Sequence, residues 1–133
     1  MRLLGIDFGS KYIGLALSDP SKSLARPFKT IPGNNKPLEE IKKICQEEEV
    51  EKIILGLPKS MDGSIGPQGE KTLKFKKELE DFLAIPIELE DERLTSKLAS
   101  DLLKDEKKKI KESKAELNKL AAQLILESYL EKM

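Results

Sequence analysis

The sequence predicts an α/β layer built on one mixed sheet, and three observations carry that expectation. Two short apolar runs joined by a glycine turn open the chain. Further short apolar runs then alternate with stretches of helical periodicity. A length of 133 residues is enough for one core and not for two, so residues 1–133 read as a single domain.

Residues 3–8 and 12–17 each have the length and content of a strand, and Gly9-Ser10-Lys11 is short enough to join them as an antiparallel hairpin. Residues 26–31, entered after the Asp19-Pro20-Ser21 turn, form a third strand, and Pro37 opens a helix that runs to about Glu49. Residues 51–55, with Ile53-Ile54-Leu55, make a buried strand that ends in Gly56. The stretch 57–68 is too rich in Gly and Pro to be regular. It follows the C-terminal end of a parallel-type strand, which is where open α/β sheets bind ligands. Thr72, Phe75, Leu79, Phe82 and Leu83 recur at helical spacing and give a second helix, followed by a strand over residues 85–89. A third helix runs from near Thr95 through Leu103. The last, over residues 115–130, places Leu117, Leu120, Ala121 and Leu124 on one stripe. A three-stranded meander followed by βα crossovers gives a mixed sheet.

Composition removes several kinds of chemistry. Lys and Arg number 24 and so do Asp and Glu, so no global basic field exists and any contact with nucleic acid must come from a local patch. The chain has no His, which excludes Ser-His-Asp and Cys-His catalysis and histidine zinc sites; hydrolysis here must be run by carboxylates. Its one Cys, Cys45, lies on the apolar face of Leu38, Ile41 and Ile44 and reads as core. No apolar run approaches 18 residues and no signal-peptide pattern follows Met1, so the expected setting is cytoplasmic, without membrane contact.

One residue breaks the apolar pattern. Asp7 stands inside the first strand, where a buried carboxylate is costly unless it is paired, hydrogen-bonded or bound to metal. It either caps the turn that follows or belongs to a site completed elsewhere in the chain.

Four motifs, in order, span nearly the whole chain. They are Gly5-Ile6-Asp7-Phe8-Gly9-Ser10-Lys11 with Ile13-Gly14, then Gly56-Leu57-Pro58 with Met61-Asp62-Gly63 and Gly66-Pro67-Gln68. Asp91-Glu92-Arg93-Leu94-Thr95 follows, and then Ala121-Ala122 through Ile125-Leu126-Glu127-Ser128-Tyr129-Leu130. Together they resemble the YqgF family. The resemblance implies a ribonuclease-H-like fold, a five-stranded mixed sheet with helices on both faces, related to Holliday-junction resolvases. It also implies a nuclease that processes the 5′ end of pre-16S ribosomal RNA in ribosome biogenesis, with branched DNA as another substrate.

Carboxylates holding Mg²⁺ or Mn²⁺ hydrolyse phosphodiesters without His, which fits the composition. By the resemblance, Asp7 is the leading metal ligand and Glu92 the second. Adjacent residues at a strand end point to opposite sides, so only one of Asp91 and Glu92 faces the site; Glu92 is favoured and Asp91 is read as structural. The chain departs from the family at Asn118, where an Asp is common before the Ala-rich final helix. Asn118 still offers a carbonyl oxygen, but the site has one negative charge fewer. Asn→Asp is nearly isosteric, so that replacement is expected to leave packing unchanged.

Lys11, Lys59 and Arg93 flank the motif loops and are candidate phosphate contacts. The lysine-rich run over residues 104–114 reads as a solvated helix end or as a second basic arm. Phe8 and Tyr12 read as core rather than as base-stacking platforms. Two other functions stay open. A non-catalytic nucleic-acid or ribosome-assembly binding module is consistent with Asn118. A phosphotransferase is suggested by the glycine-turned hairpin after Asp7, although 133 residues supply only one of the two domains such enzymes close around a nucleotide.

Overall fold

A computed structural model describes residues 1–9, 11–34, 36–59, 62–91 and 114–133. Its elements are β1 (Arg2–Phe8), β2 (Tyr12–Ser18), β3 (Ala25–Pro32), α1 (Pro37–Glu47), β4 (Val50–Leu57), α2 (Pro67–Phe82), β5 (Ile87–Asp91) and α3 (Lys114–Glu131). The strands form one sheet in the order β3-β2-β1-β4-β5. β1 pairs antiparallel with β2, and β2 with β3, while β1–β4 and β4–β5 are parallel. This is the mixed sheet expected from a meander followed by crossovers. β3 carries Pro27 and Pro32 at the sheet edge, where a missing N–H costs no ladder bond.

Alternation along β1 and β2 divides the core between the two faces of the sheet. On one face Leu4, Ile6, Ile13, Leu15, Ile53 and Leu55 pack with Ile41, Ile44 and Cys45 of α1 and Phe75 and Leu79 of α2. Cys45 is buried, and burial pushes its thiol up to about 11, so it is inert core as expected. On the other face Leu3, Ala16 and Ile54 pack with Ala122, Ile125 and Leu126 of α3.

Several boundaries move, each for a stated reason. β4 continues past Leu55 because Gly56 and Leu57 keep pairing with Glu90 and Asp91, which also carries β5 beyond Leu89. α1 ends at Glu47, two residues early, and Glu49 then takes a left-handed φ of 55° to turn the chain into β4. α2 starts inside the Gly/Pro stretch, because Gly66 caps it and Pro67 fits the first helical position, where no N–H is needed. The helix expected from Thr95 to Leu103 lies outside the described residues, as does the lysine run up to residue 113.

The stripe of α3 also differs. Ala121, Ala122, Ile125 and Leu126 are buried, while Leu117, Leu120 and Leu124 are half-buried. The helix is oriented by close approach to the sheet. A Cβ on Gly14 would lie 2.1 Å from the Asn118 backbone oxygen, and one on Gly5 would lie 2.9 Å from the Ala122 oxygen. Small residues on both sides of the seam set which face turns inward. At its far end α3 is tied to the edge of the sheet: Lys52 Nζ meets Glu88 at 3.0 Å and Tyr129 Oη at 3.1 Å. These bonds hold the Lys52 ammonium charged, raising its pKa.

Adding one methyl group at the seam tests this account. Gly14→Ala meets backbone rather than a movable side chain, so α3 must shift; urea unfolding should show a loss of at least about 1–3 kcal/mol. The same change at Gly66, where a Cβ meets nothing within 4 Å, should be mild by comparison.

Candidate functional site

The C-terminal ends of the parallel strands β1, β4 and β5 lie at one edge of the sheet, and the β1–β2 hairpin and the start of α2 close in on it. Asp7 is the penultimate residue of β1 and is half-buried. A Cβ on Gly5 would point at Ala122 and one on Gly9 at Asn118, so residues 5, 7 and 9 all turn toward α3. In the ladder Asp7 stands opposite Gly14, whose bare Cα admits the backbone of Asn118. The structure therefore brings Asp7 and Asn118, 111 positions apart in sequence, to the same face and the same end of the sheet.

Asn118 does more than occupy a place. Its Nδ2 donates to the Tyr12 carbonyl at 2.9 Å. That oxygen also accepts the Gly9 N–H at 3.0 Å, the bond that closes the turn after Asp7. One carbonyl thus joins the first turns of α3 to the hairpin that presents Asp7. With its nitrogen committed there, the amide has Oδ1 as its remaining acceptor, the atom a hard cation would take.

Other candidates fall as follows. Lys11 is exposed on the hairpin, with Nζ 5.7 Å from the centroid of the Tyr12 ring, and its carbonyl accepts the Gly33 N–H at 3.0 Å. Lys59 is half-buried just past the end of β4. Both stand at the same edge as Asp7. Glu92 and Arg93 lie outside the described residues. Alternation along β5 puts Glu88 and Glu90 on the α3 side, where they bond Lys52, Ser128 and Lys132, and puts Asp91 with Ile87 on the opposite side. Among the described residues no group of three or more Asp, Glu, Cys or His side chains gathers as a metal cluster.

Three functional positions escape a reading of the sequence alone. The Tyr12 carbonyl is a backbone atom and leaves no trace in residue identity. Gln68 sits within a recognisable motif, but only the fold shows its Nε2 donating to the Phe8 carbonyl at 2.9 Å, fixing the start of α2 against the end of β1. Glu90 is 5% exposed and accepts from Ser128 Oγ and Lys132 Nζ, each at 2.7 Å. The bond to Glu90 raises the pKa of Lys132, and the pair fixes the C-terminal end of α3.

The tie to Tyr12 revises the expectation that Asn→Asp at 118 leaves packing unchanged. The two side chains have the same shape, but the acid loses the donor and sets an anionic oxygen against a carbonyl oxygen. In chelator, Asn118→Asp should lose about 1–3 kcal/mol in urea unfolding. The strain disfavours the charged form, so the new carboxyl titrates higher in the folded than in the unfolded state. Stability relative to wild type should therefore recover as pH falls below about 4 and decline as it rises. A variant as stable as wild type near neutral pH would show the bond to be dispensable.

Known proteins fit this geometry. The family model described as RuvX, Holliday junction resolvase, matches residues 1–132. A Clostridium kluyveri protein named "Putative pre-16S rRNA nuclease" is 43% identical over 141 aligned positions, covering 100% of this chain and 98% of its own. A protein of the same name from Thermoanaerobacter pseudethanolicus is 47% identical over 135 positions, covering 98% and 96%. Among solved structures, Thermus thermophilus RuvC in complex with a Holliday junction superposes with a TM-score of 0.62 at 13% identity, covering 100% of this chain and 96% of that one. At that identity the likeness speaks for the fold, which is ribonuclease-H-like. By the family match and by full-length relatives above 40% identity, the chain belongs to the RuvX family of Holliday-junction-resolvase-like nucleases.

Proposed function

We propose that this protein is a metal-dependent nuclease whose site is built from Asp7, Glu92 and Asn118, acting on ribosomal-precursor RNA at the 5′ end of 16S and also on branched DNA. The observation that carries the reading is the meeting of Asp7 and Asn118 at the C-terminal edge of the parallel strands. Family membership, and the names its relatives carry, supply the reaction class.

The donor set suits Mg²⁺ or Mn²⁺. Asp7 offers carboxylate oxygens, Asn118 offers Oδ1, and the chain has no His to favour a softer ion. β5 stands two strands from β1, roughly 10 Å away, a span that side chains from both strands and a pair of ions can fill. Alternation along β5 sets Asp91 and its neighbour Glu92 on opposite sides, and Glu92, which shares its side with Glu88 and Glu90, is taken as the acid from this segment. When bound, such a pair of ions activates water and stabilises the leaving oxygen. The protein's part is positional. Asp7 holds one end of the site on a rigid strand, and Asn118 holds the other while fixing the hairpin through Tyr12. Lys11, Lys59 and Arg93 meet flanking phosphates and set the register of the substrate. No helix among the described residues is long and apolar enough to cross a membrane, in keeping with work in the cytoplasm on nucleic acid.

A second reading is favoured by one observation. Asn118 is engaged in a structural hydrogen bond and lacks the charge of the usual acid, as a non-catalytic RNA or ribosome-assembly binding module would allow. Family membership weighs against a phosphotransferase.

Cleavage of single-stranded RNA and of junction DNA, each with Mg²⁺, Mn²⁺ or chelator, separates these readings. Wild type should cut only with metal. Asp7→Asn should abolish cleavage, keep the circular dichroism spectrum, and lose the rise in melting temperature that Mn²⁺ gives wild type, which reflects a stabilisation of about 2.7 kcal/mol at a hundredfold excess over Kd. Wild type that binds nucleic acid in chelator and never cuts would establish the binding module instead.

A further inference from the structure

The face of the sheet opposite Asp7 carries an opening that the cleavage reading does not use. A cavity of about 400 Å³ lies at the start of α1, and Phe8, Phe75 and Phe82 form its aromatic wall. A second, of about 250 Å³, adjoins it and shares Phe8, Phe75 and Glu78. Phe8 and Phe75 are stacked on each other, with centroids 4.2 Å apart and planes 16° from parallel, and Phe75 is buried, so Phe82 is the most open ring of the wall. Phe82 is 39% exposed, an uncommon exposure for so large a ring, and the Lys42 ammonium lies 5.2 Å from its centroid. Lys36 lines the first cavity, and Lys71 and Lys74 line the second; all three are exposed.

The composition selects the occupant. A wholly apolar partner covering these rings would bury Lys36, Lys42, Lys71 and Lys74 with only Glu39 and Glu78 as counter-charge, which is expensive. A single-stranded nucleic acid supplies both halves, since a base stacks on aromatic faces while phosphates meet lysines. Glu39 and Glu78 also line the groove, and carboxylates repel phosphate. They suit the edge of a base, because the amino groups of adenine, guanine and cytosine donate to carboxylate oxygens. The volume falls in the range of small-molecule sites. The groove also borders the site: Phe8, which lines both cavities, follows Asp7 directly at the end of β1, and its carbonyl is held by Gln68.

We propose that this groove binds an unpaired nucleobase next to the scissile phosphodiester, with Lys36, Lys71 and Lys74 on neighbouring phosphates. The inference rests on the nuclease reading for the position of the cut, and on the groove alone for binding. It revises the expectation that Phe8 is core only, since the ring packs on the core with one side and lines a cavity with the other.

Fluorescence anisotropy with a dye-labelled single-stranded 12-mer, as RNA and as DNA of the same sequence, tests the groove in chelator, where nothing is cut. Phe82→Ala should weaken binding about five- to a hundredfold, and Phe82→Tyr should retain it. Lys71→Ser and Lys74→Ser, both at exposed positions, should each lower the slope of log affinity against log salt by about 0.7. Equal losses for RNA and DNA would assign the groove to base and phosphate; losses confined to one polymer would assign it to that polymer. Wild-type affinity in Phe82→Ala together with an unchanged slope in both lysine variants would overturn the proposal. A wild type that binds through Phe82 yet never cleaves would sink the nuclease reading and leave the groove standing. A wild type that cleaves while Phe82→Ala binds normally and both lysine variants keep the wild-type salt slope would do the reverse.

Discussion

The close contact between the first turns of α3 and the β1–β2 hairpin is the constraint on which the candidate site depends. Glycine at positions 5 and 14 lets helix backbone touch strand backbone, and the Tyr12 carbonyl accepts from both Gly9 and Asn118. Asp7 sits within this knot. A side chain added at either glycine would lift the helix, and the only candidate ligand that α3 brings would leave with it. The contact works because glycine removes the Cβ, whose absence allows the approach.

The alternation of β1 then assigns different work to the two faces of the sheet. Residues 5 and 9 face α3 and alternation turns Asp7 to the same side, while residues 4, 6 and 8 pack in the core formed with α1 and α2. The candidate ligands Asp7 and Asn118 lie on the first face and an aromatic, lysine-rimmed groove on the second, joined at the end of β1 by the adjacent residues Asp7 and Phe8. Zero net charge does not prevent such local fields, because screening limits electrostatics to roughly 8–10 Å and a few neighbouring lysines then dominate their surroundings. The buried Glu90 serves a different end. Held by Ser128 and Lys132, it fixes the far end of α3, so the helix is tied to the sheet at both ends.

By itself the sequence determined the order and type of the elements among the described residues, the mixed sheet and the absence of histidine chemistry, because periodicity and composition are local quantities. The motifs carried the family and with it Asp7, Glu92 and Asn118 as candidates. Residue spacing alone also placed Cys45 in the core. What it could not set was the rotation of α3: the leucine stripe over 117, 120 and 124 is only half-buried, and Ala121, Ala122, Ile125 and Leu126 face the sheet because the glycines opposite let the helix approach on that side. Nor could it show that Asn118 is tied to a backbone carbonyl 106 residues away, that Gln68 holds the end of β1, or that Phe8 lines a groove. Those facts depend on which backbones approach one another across the sheet. Approach of that kind is decided by packing of the whole chain, and a backbone oxygen is the same atom in every residue.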